Sequence, residues 1–212
     1  MGELSRRPLD APREPLLVPA GEALYESLST KFVVLDRILA ALSEAAYSGY
    51  LRVVSEAQSG LLLLRNGRVT DALCRNSEDG VASGSEALTS IGEVVSRGEG
   101  VVDIVGLSPE VVDSLHHLAS GAPRYPDLHA SWVNIEGLIA FLGERRFTGN
   151  ISVSTRSGGG VVMLSRGDVS AAFTTNSPRV SPTASEVVAL CQDAAARIEV
   201  REATEPVDGE LG

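Results

Sequence analysis

The sequence predicts an α+β fold of two tandem units, each a helix, a three-stranded antiparallel meander, a second helix and a closing strand, packed as a pseudo-symmetric pair. Three observations predict it. The chain repeats itself at a spacing of 100 residues, and a fixed period sets the architecture before any local element is assigned. Apolar residues at helical spacing open each copy. Short apolar runs bounded by turn residues follow them.

From Val33 to Ser77 there are 45 positions with a partner 100 residues on, and thirteen pairs are identical. Unrelated sequences of ordinary composition would give about three. The identities include Gly49/Gly149, Val53/Val153, Gly60/Gly160, Leu64/Leu164, Gly67/Gly167, Ala72/Ala172, Asn76/Asn176 and Ser77/Ser177. Tyr25/Tyr125 and Leu28/Leu128 match upstream.

The first helix of each copy is carried by Leu35, Ile38, Leu39 and Leu42, and by Ile135, Leu138, Ile139 and Leu142. Asp36 favours a first turn, and Gly49 and Gly149 read as stops. Strands follow at Tyr50 to Ser55 and Asn150 to Thr155, then at Leu61 to Leu64 and Val161 to Leu164. Asn66-Gly67 is a strong hairpin signal because both residues tolerate positive φ. Copy two has Arg166-Gly167 there, which suggests a different turn type. The third strands run from Arg68 to about Leu73 and from Asp168 to about Phe173.

Polar stretches come next, Arg75 to Gly84 and Thr175 to Ser181. The second helix starts near Ser85-Glu86 in copy one. In copy two Pro182 is the expected first-turn residue with Ser181 as its cap. Val101 to Val105 and Ile198 to Arg201 close the copies. Between them, Ser108-Pro109-Glu110 to Ser120 reads as a helix capped by Ser108 and stopped at Gly121. The organisation is therefore an N-terminal arm (1–20), unit one (21–105), a connecting helix and linker (106–124), unit two (125–203) and a polar tail (204–212). The arm and the tail are expected to be flexible.

The formal charge is −10, with a single lysine, Lys31, and no basic run. Nucleic-acid and anionic-membrane partners are therefore not expected. No apolar run approaches 20 residues, and no signal segment is expected. Cys74 and Cys191 do not sit at equivalent repeat positions, so a reduced, cytoplasmic protein is expected. Units of about 75–80 residues are marginal alone, so they should pack on each other or on a second chain.

Gly49-Tyr50-Leu51-Arg52-Val53, Leu61 to Leu64, Gly67-Arg68-Val69, Ala72 and Glu86-Ala87-Leu88 resemble the PatA-type N-terminal domain. Copy two matches through Gly149 to Val153, Val161 to Leu164, Gly167-Asp168-Val169 and Ala172, and more weakly at Glu186-Val187-Val188. The resemblance implies a bacterial signalling protein and supplies no catalytic residues. The chain departs from the family at the final strand, where Gly98-Glu99-Gly100-Val101-Val102 lacks the usual aromatic residues and copy two lacks the glycine.

No residue constellation points to chemistry. His116 and His117 project about 100° apart on a helix, and His129 stands apart, so no metal site is expected. Gly158-Gly159-Gly160 runs into a strand rather than a helix N-terminus, unlike a phosphate loop. No Gly-x-Ser-x-Gly elbow is present. Trp132, Tyr125 and Phe147, with Phe32, Tyr25 and Tyr47, suggest a core or an inter-repeat surface. Asn76, Ser77, Asn176 and Ser177 are the polar pairs that both copies keep. They are the candidate partner or ligand loops, weighed against local turn hydrogen bonding.

The expected function is a non-enzymatic regulatory or adaptor role in signalling or cell organisation, through a protein partner and with a possible homo-oligomer. The alternative is a nucleotide-type sensor binding between the repeats. No cofactor, metal or catalytic residue is assigned.

Overall fold

The computed structural model describes residues 17–76 and 80–203. Strand β1 (Glu22–Ser29) leads through a 3-10 turn (Thr30–Phe32) into helix α1 (Leu35–Glu44). Strands β2 (Gly49–Ser55), β3 (Gln58–Arg65), β4 (Arg68–Asn76) and β5 (Gly80–Ser83) follow, then α2 (Gly84–Arg97) and β6 (Gly100–Gly106). Helix α3 (Pro109–Ser120) connects to β7 (Ala122–His129), α4 (Ile135–Glu144), β8 (Gly149–Thr155), β9 (Gly158–Ser165) and β10 (Asp168–Thr174). The described chain ends with α5 (Ser185–Leu190) and β11 (Arg197–Glu202). The fold is α+β, with two antiparallel sheets of six and five strands and, among the described residues, five helices. Most of the predicted arm and all of the predicted tail lie outside the described residues.

The first sheet has the order β1-β6-β2-β3-β4-β5, and the second reads β7-β11-β8-β9-β10. Strands at equivalent repeat positions hold equivalent places, and β5 alone lacks a counterpart. In each unit the closing strand inserts between the first strand and the meander, as β2 pairs with β6 and β8 pairs with β11.

Three cores explain the sequence pattern. On one face of the first sheet, Leu51, Val53, Leu62, Leu64, Val102 and Ile104 pack against α1 and α2 through Leu42, Ala87, Ile91 and Val95. Ile151, Val153, Val162, Leu164, Ile198 and Val200 meet α4 and α5 in the same way. The third core joins the opposite faces of the two sheets. Tyr50, Leu61, Leu63 and Val105 come from the first, and Val161, Met163, Ala171 and Phe173 from the second, with Val112 and Leu115 of α3 among them. Strands β3 and β9 are thus covered on both faces, which is why Leu61 to Leu64 and Val161 to Leu164 are continuous apolar runs rather than alternating ones. Each such side chain, fully buried, contributes about 1.5–3 kcal/mol. Leu17 and Val18 also pack on this core. The Ala20 N–H donates to the Pro178 carbonyl at 2.6 Å, tying the start of unit one to unit two.

Several sequence expectations need correction. Strands β1 and β7 precede the first helices, where no strand was expected. Both are exposed edge strands, so neither shows the burial alternation that marks a strand, and Pro123 and Pro126 interrupt β7. The polar stretch after β4 contains β5, which pairs with β4. The first helices end at Glu44 and Glu144, not at glycine: Ala46 and Arg146 take the left-handed turn at φ 48° and 50°, while Gly49 and Gly149 begin strands. Helix α5 starts at Ser185, and Ala184 rather than Ser181 is its cap. Ser181 instead exchanges two backbone hydrogen bonds with Ala172, both 2.8 Å.

The meander turn is the same in both units, contrary to the expected difference. Asn66 and Gly67 have φ 49° and 81°, and Arg166 and Gly167 have 51° and 94°. Two positive φ values define the hairpin geometry that matches strand twist. Each turn is held by the loop after the first helix. The Asn66 N–H donates to Ser48 Oγ (2.9 Å) and the Arg166 N–H to Thr148 Oγ1 (3.0 Å).

Candidate functional site

Of the four polar residues that both copies share, Asn76, Asn176 and Ser177 lie among the described residues. Asn76 ends β4, its backbone paired with Gln58 and Gly80, and Ser77 lies outside the described residues. In unit two the strand stops earlier. The Ser177 N–H donates to Thr174 Oγ1 at 2.9 Å, and its carbonyl accepts from the Thr174 N–H at 3.0 Å. Asn176 is exposed beside this closed turn. Both bonds use the Ser177 backbone, and the side chain that closes the turn is that of Thr174.

The three histidines serve different neighbours. His116 Nδ1 lies 3.2 Å from Asp71 Oδ2. That hydrogen bond pushes the His116 pKa up, against the opposing effect of partial burial. Burial, and then the neighbouring His116, push the His117 pKa down. His129 packs tilted against Trp132, with ring centroids 4.2 Å apart and the planes at 44°. Among the described residues, no three His, Cys, Asp or Glu side chains group where a metal could be held. Cys74 is buried, and burial raises the thiol pKa of the half-buried Cys191.

Two surface features were missed by sequence reasoning. The first is a pair of displayed aromatic residues. Phe32 is 83 % exposed and Trp132 71 % exposed, at equivalent positions in the turn before each unit's first helix. With Tyr25, also exposed, they depart from the expected core or inter-repeat surface; of the six, Phe147 is buried, and Tyr47 and Tyr125 are half-buried against the cores of their own units. Close to Phe32 is a groove of about 580 Å³ between Thr30–Asp36 and the second half of α2.

The second feature is a groove of about 740 Å³ in unit two, where α3, β7 and the end of α4 meet. His117, Arg124, Phe141, Arg145, Arg146 and Glu202 line it. Arg145 lies 4.2 Å over the Phe141 ring. The arginines come from separate stretches, so no basic run announces them. The signal was in the repeat itself: the equivalent positions in unit one are Leu24, Ala45 and Ala46.

Among the described residues, no helix is long and apolar enough to cross a membrane. Residues 16–119 match the model of a family described as an uncharacterized protein conserved in archaea (DUF2226). The match covers the first sheet and α3 to within a residue of its end. It corrects the resemblance to the bacterial PatA-type domain and points to an archaeal kind of domain instead. The quoted motif consists of turn glycines and buried apolar positions, which report a fold and not a lineage. No curated protein and no solved structure matches the chain.

Proposed function

We propose that this chain is a non-enzymatic, cytoplasmic regulatory or adaptor protein that works by protein–protein interaction, its two units acting as a pseudo-symmetric pair. The observation that carries this reading is the Phe32/Trp132 pair. Large aromatic side chains left in water at equivalent turns of both units are the kind of anchor that interfaces bury. A duplicated chain presents two related surfaces from one polypeptide, as a homodimer would, and leaves each free to diverge. Exposed edge strand β1, with Leu24 and Tyr25 outward, adds a further docking element.

The test is crosslinked affinity capture from source-cell extract with the wild type and with the double variant Phe32→Ser/Trp132→Ser. The expected result is a stoichiometric protein that the wild type retains and the variant loses, with the thermal midpoint unchanged. Retention of the same protein by the variant, or no enriched protein with either, would overturn the reading.

A further inference from the structure

The groove of unit two carries an assignment that is independent of the adaptor reading. Arg124, Arg145 and Arg146 are exposed and line one groove, and among the described residues none of their side chains forms an ion pair or hydrogen bond. The chain as a whole carries −10, so three guanidinium groups against the one carboxylate of Glu202 in this groove are a local reversal of sign. The dipole at the end of α4 favours a cation there, and Phe141 holds Arg145. Neither accounts for Arg124, which reaches the same groove from the edge strand β7. Unit one has Leu24, Ala45 and Ala46 at these positions, so the fold does not need the arginines.

The other walls are aromatic and polar. Tyr125 and Phe141 line it with aromatic surface, one face of Phe141 carrying Arg145, and Glu202 adds a carboxylate; His117 also lines it, its Nδ1 buried without a partner among the described residues. We propose that this groove binds a small phosphate-bearing ligand with a planar ring, of the nucleotide class. Arg124, Arg145 and Arg146 take the phosphates, since guanidinium forks match phosphate oxygens. The ring lies on the Tyr125 and Phe141 wall, and Glu202 accepts from a hydroxyl or amino group of the ligand. The volume of about 740 Å³ suits one such molecule. A long polyanion is disfavoured, because the chain as a whole carries −10.

The test is calorimetric titration of the full chain with ATP, AMP and inorganic pyrophosphate at about 0.15 M salt. The comparison is the triple variant Arg124→Leu/Arg145→Ala/Arg146→Ala, with Arg97→Ala as a charge control. Each substitution installs the unit-one residue, and Ala46 already occupies the same left-handed turn at φ 48°, so the variant is expected to keep its thermal midpoint. The expected result is saturable ATP binding, about tenfold or more tighter than pyrophosphate, weakened about 100-fold in the triple variant and unchanged in Arg97→Ala. Three results would overturn the assignment. They are no saturable binding of ATP or AMP at millimolar concentration, equal affinity in the triple variant, and pyrophosphate binding as tightly as ATP.

Discussion

Asp71 on β4 and His116 on α3 join the first sheet to the connecting helix, Oδ2 to Nδ1 at 3.2 Å, with the aspartate largely shielded from water. Nearby, Arg65 and Asp113 make a second link at 2.6 Å between β3 and the same helix. Helix α3 is thus tied to unit one by charge, while Val112 and Leu115 bury its apolar side in the core between the sheets.

The first prediction concerns pH. His116 has a raised pKa in the folded state, chiefly through its bond to Asp71. Its stabilisation is fully present below the ordinary histidine value of about 6.5 and is lost as pH rises through the higher folded value. His117, depressed by burial, acts in reverse: its contribution holds above about 6.5 and is lost as pH falls through its folded value. In Asp71→Asn, the stability deficit relative to wild type should be larger near pH 6 than near pH 9. Urea unfolding at the two values checks this, and an equal deficit at both would remove the pair as its cause.

A second prediction addresses the covered sheet. Leu62 and Leu63 are both fully buried but face opposite cores. Leu62→Ala and Leu63→Ala should each cost about 2–5 kcal/mol. Were the Leu63 face open to water, its substitution would cost a small fraction of that. Chemical denaturation of the two variants decides between these cases.

Asn150 gives the third. It is fully buried on β8, and neither Oδ1 nor Nδ2 has a hydrogen-bond partner among the described residues. Its counterpart Tyr50 satisfies its hydroxyl by donating to the Pro19 carbonyl at 3.2 Å. An unpaired buried amide costs about 1–3 kcal/mol, so Asn150→Leu should raise the thermal midpoint. A lowered midpoint would show that the amide is satisfied in solution.

The fourth lies at the meander turn. Gly167 has φ 94°, and a Cβ there would run into the Gly143 carbonyl. Gly167→Ala should cost about 1–3 kcal/mol. Arg166→Asn, at φ 51°, should be neutral or slightly stabilising, because asparagine tolerates the left-handed region better than arginine. Equal losses in both variants would count against the turn geometry.

The sequence by itself determined the repeat, the meander, the helix after each first turn and the connecting helix. These elements rest on local signals: apolar spacing, Pro109 at a helix start, and glycine after a left-handed residue. It placed β2, β3, β4 and β6 to within a few residues because their apolar runs are bounded by turns. The tertiary structure decided the rest. Strands β1 and β7 exist because β6 and β11 offer them hydrogen-bond partners, and such long-range pairing leaves no period in an exposed edge. Gly121 reads locally as a helix stop; its backbone is extended, and the neighbouring carbonyls of His117 and Glu202 leave no room for a Cβ. Asn76 pairs with Gly80 of β5, whereas its counterpart Asn176 lies beside a closed turn, a difference set by which strand neighbours the edge. The arginine groove, assembled from a strand, a helix end and a neighbouring helix, has no footprint in any single stretch of sequence, since only folding brings charges at positions 124, 145 and 146 to one wall.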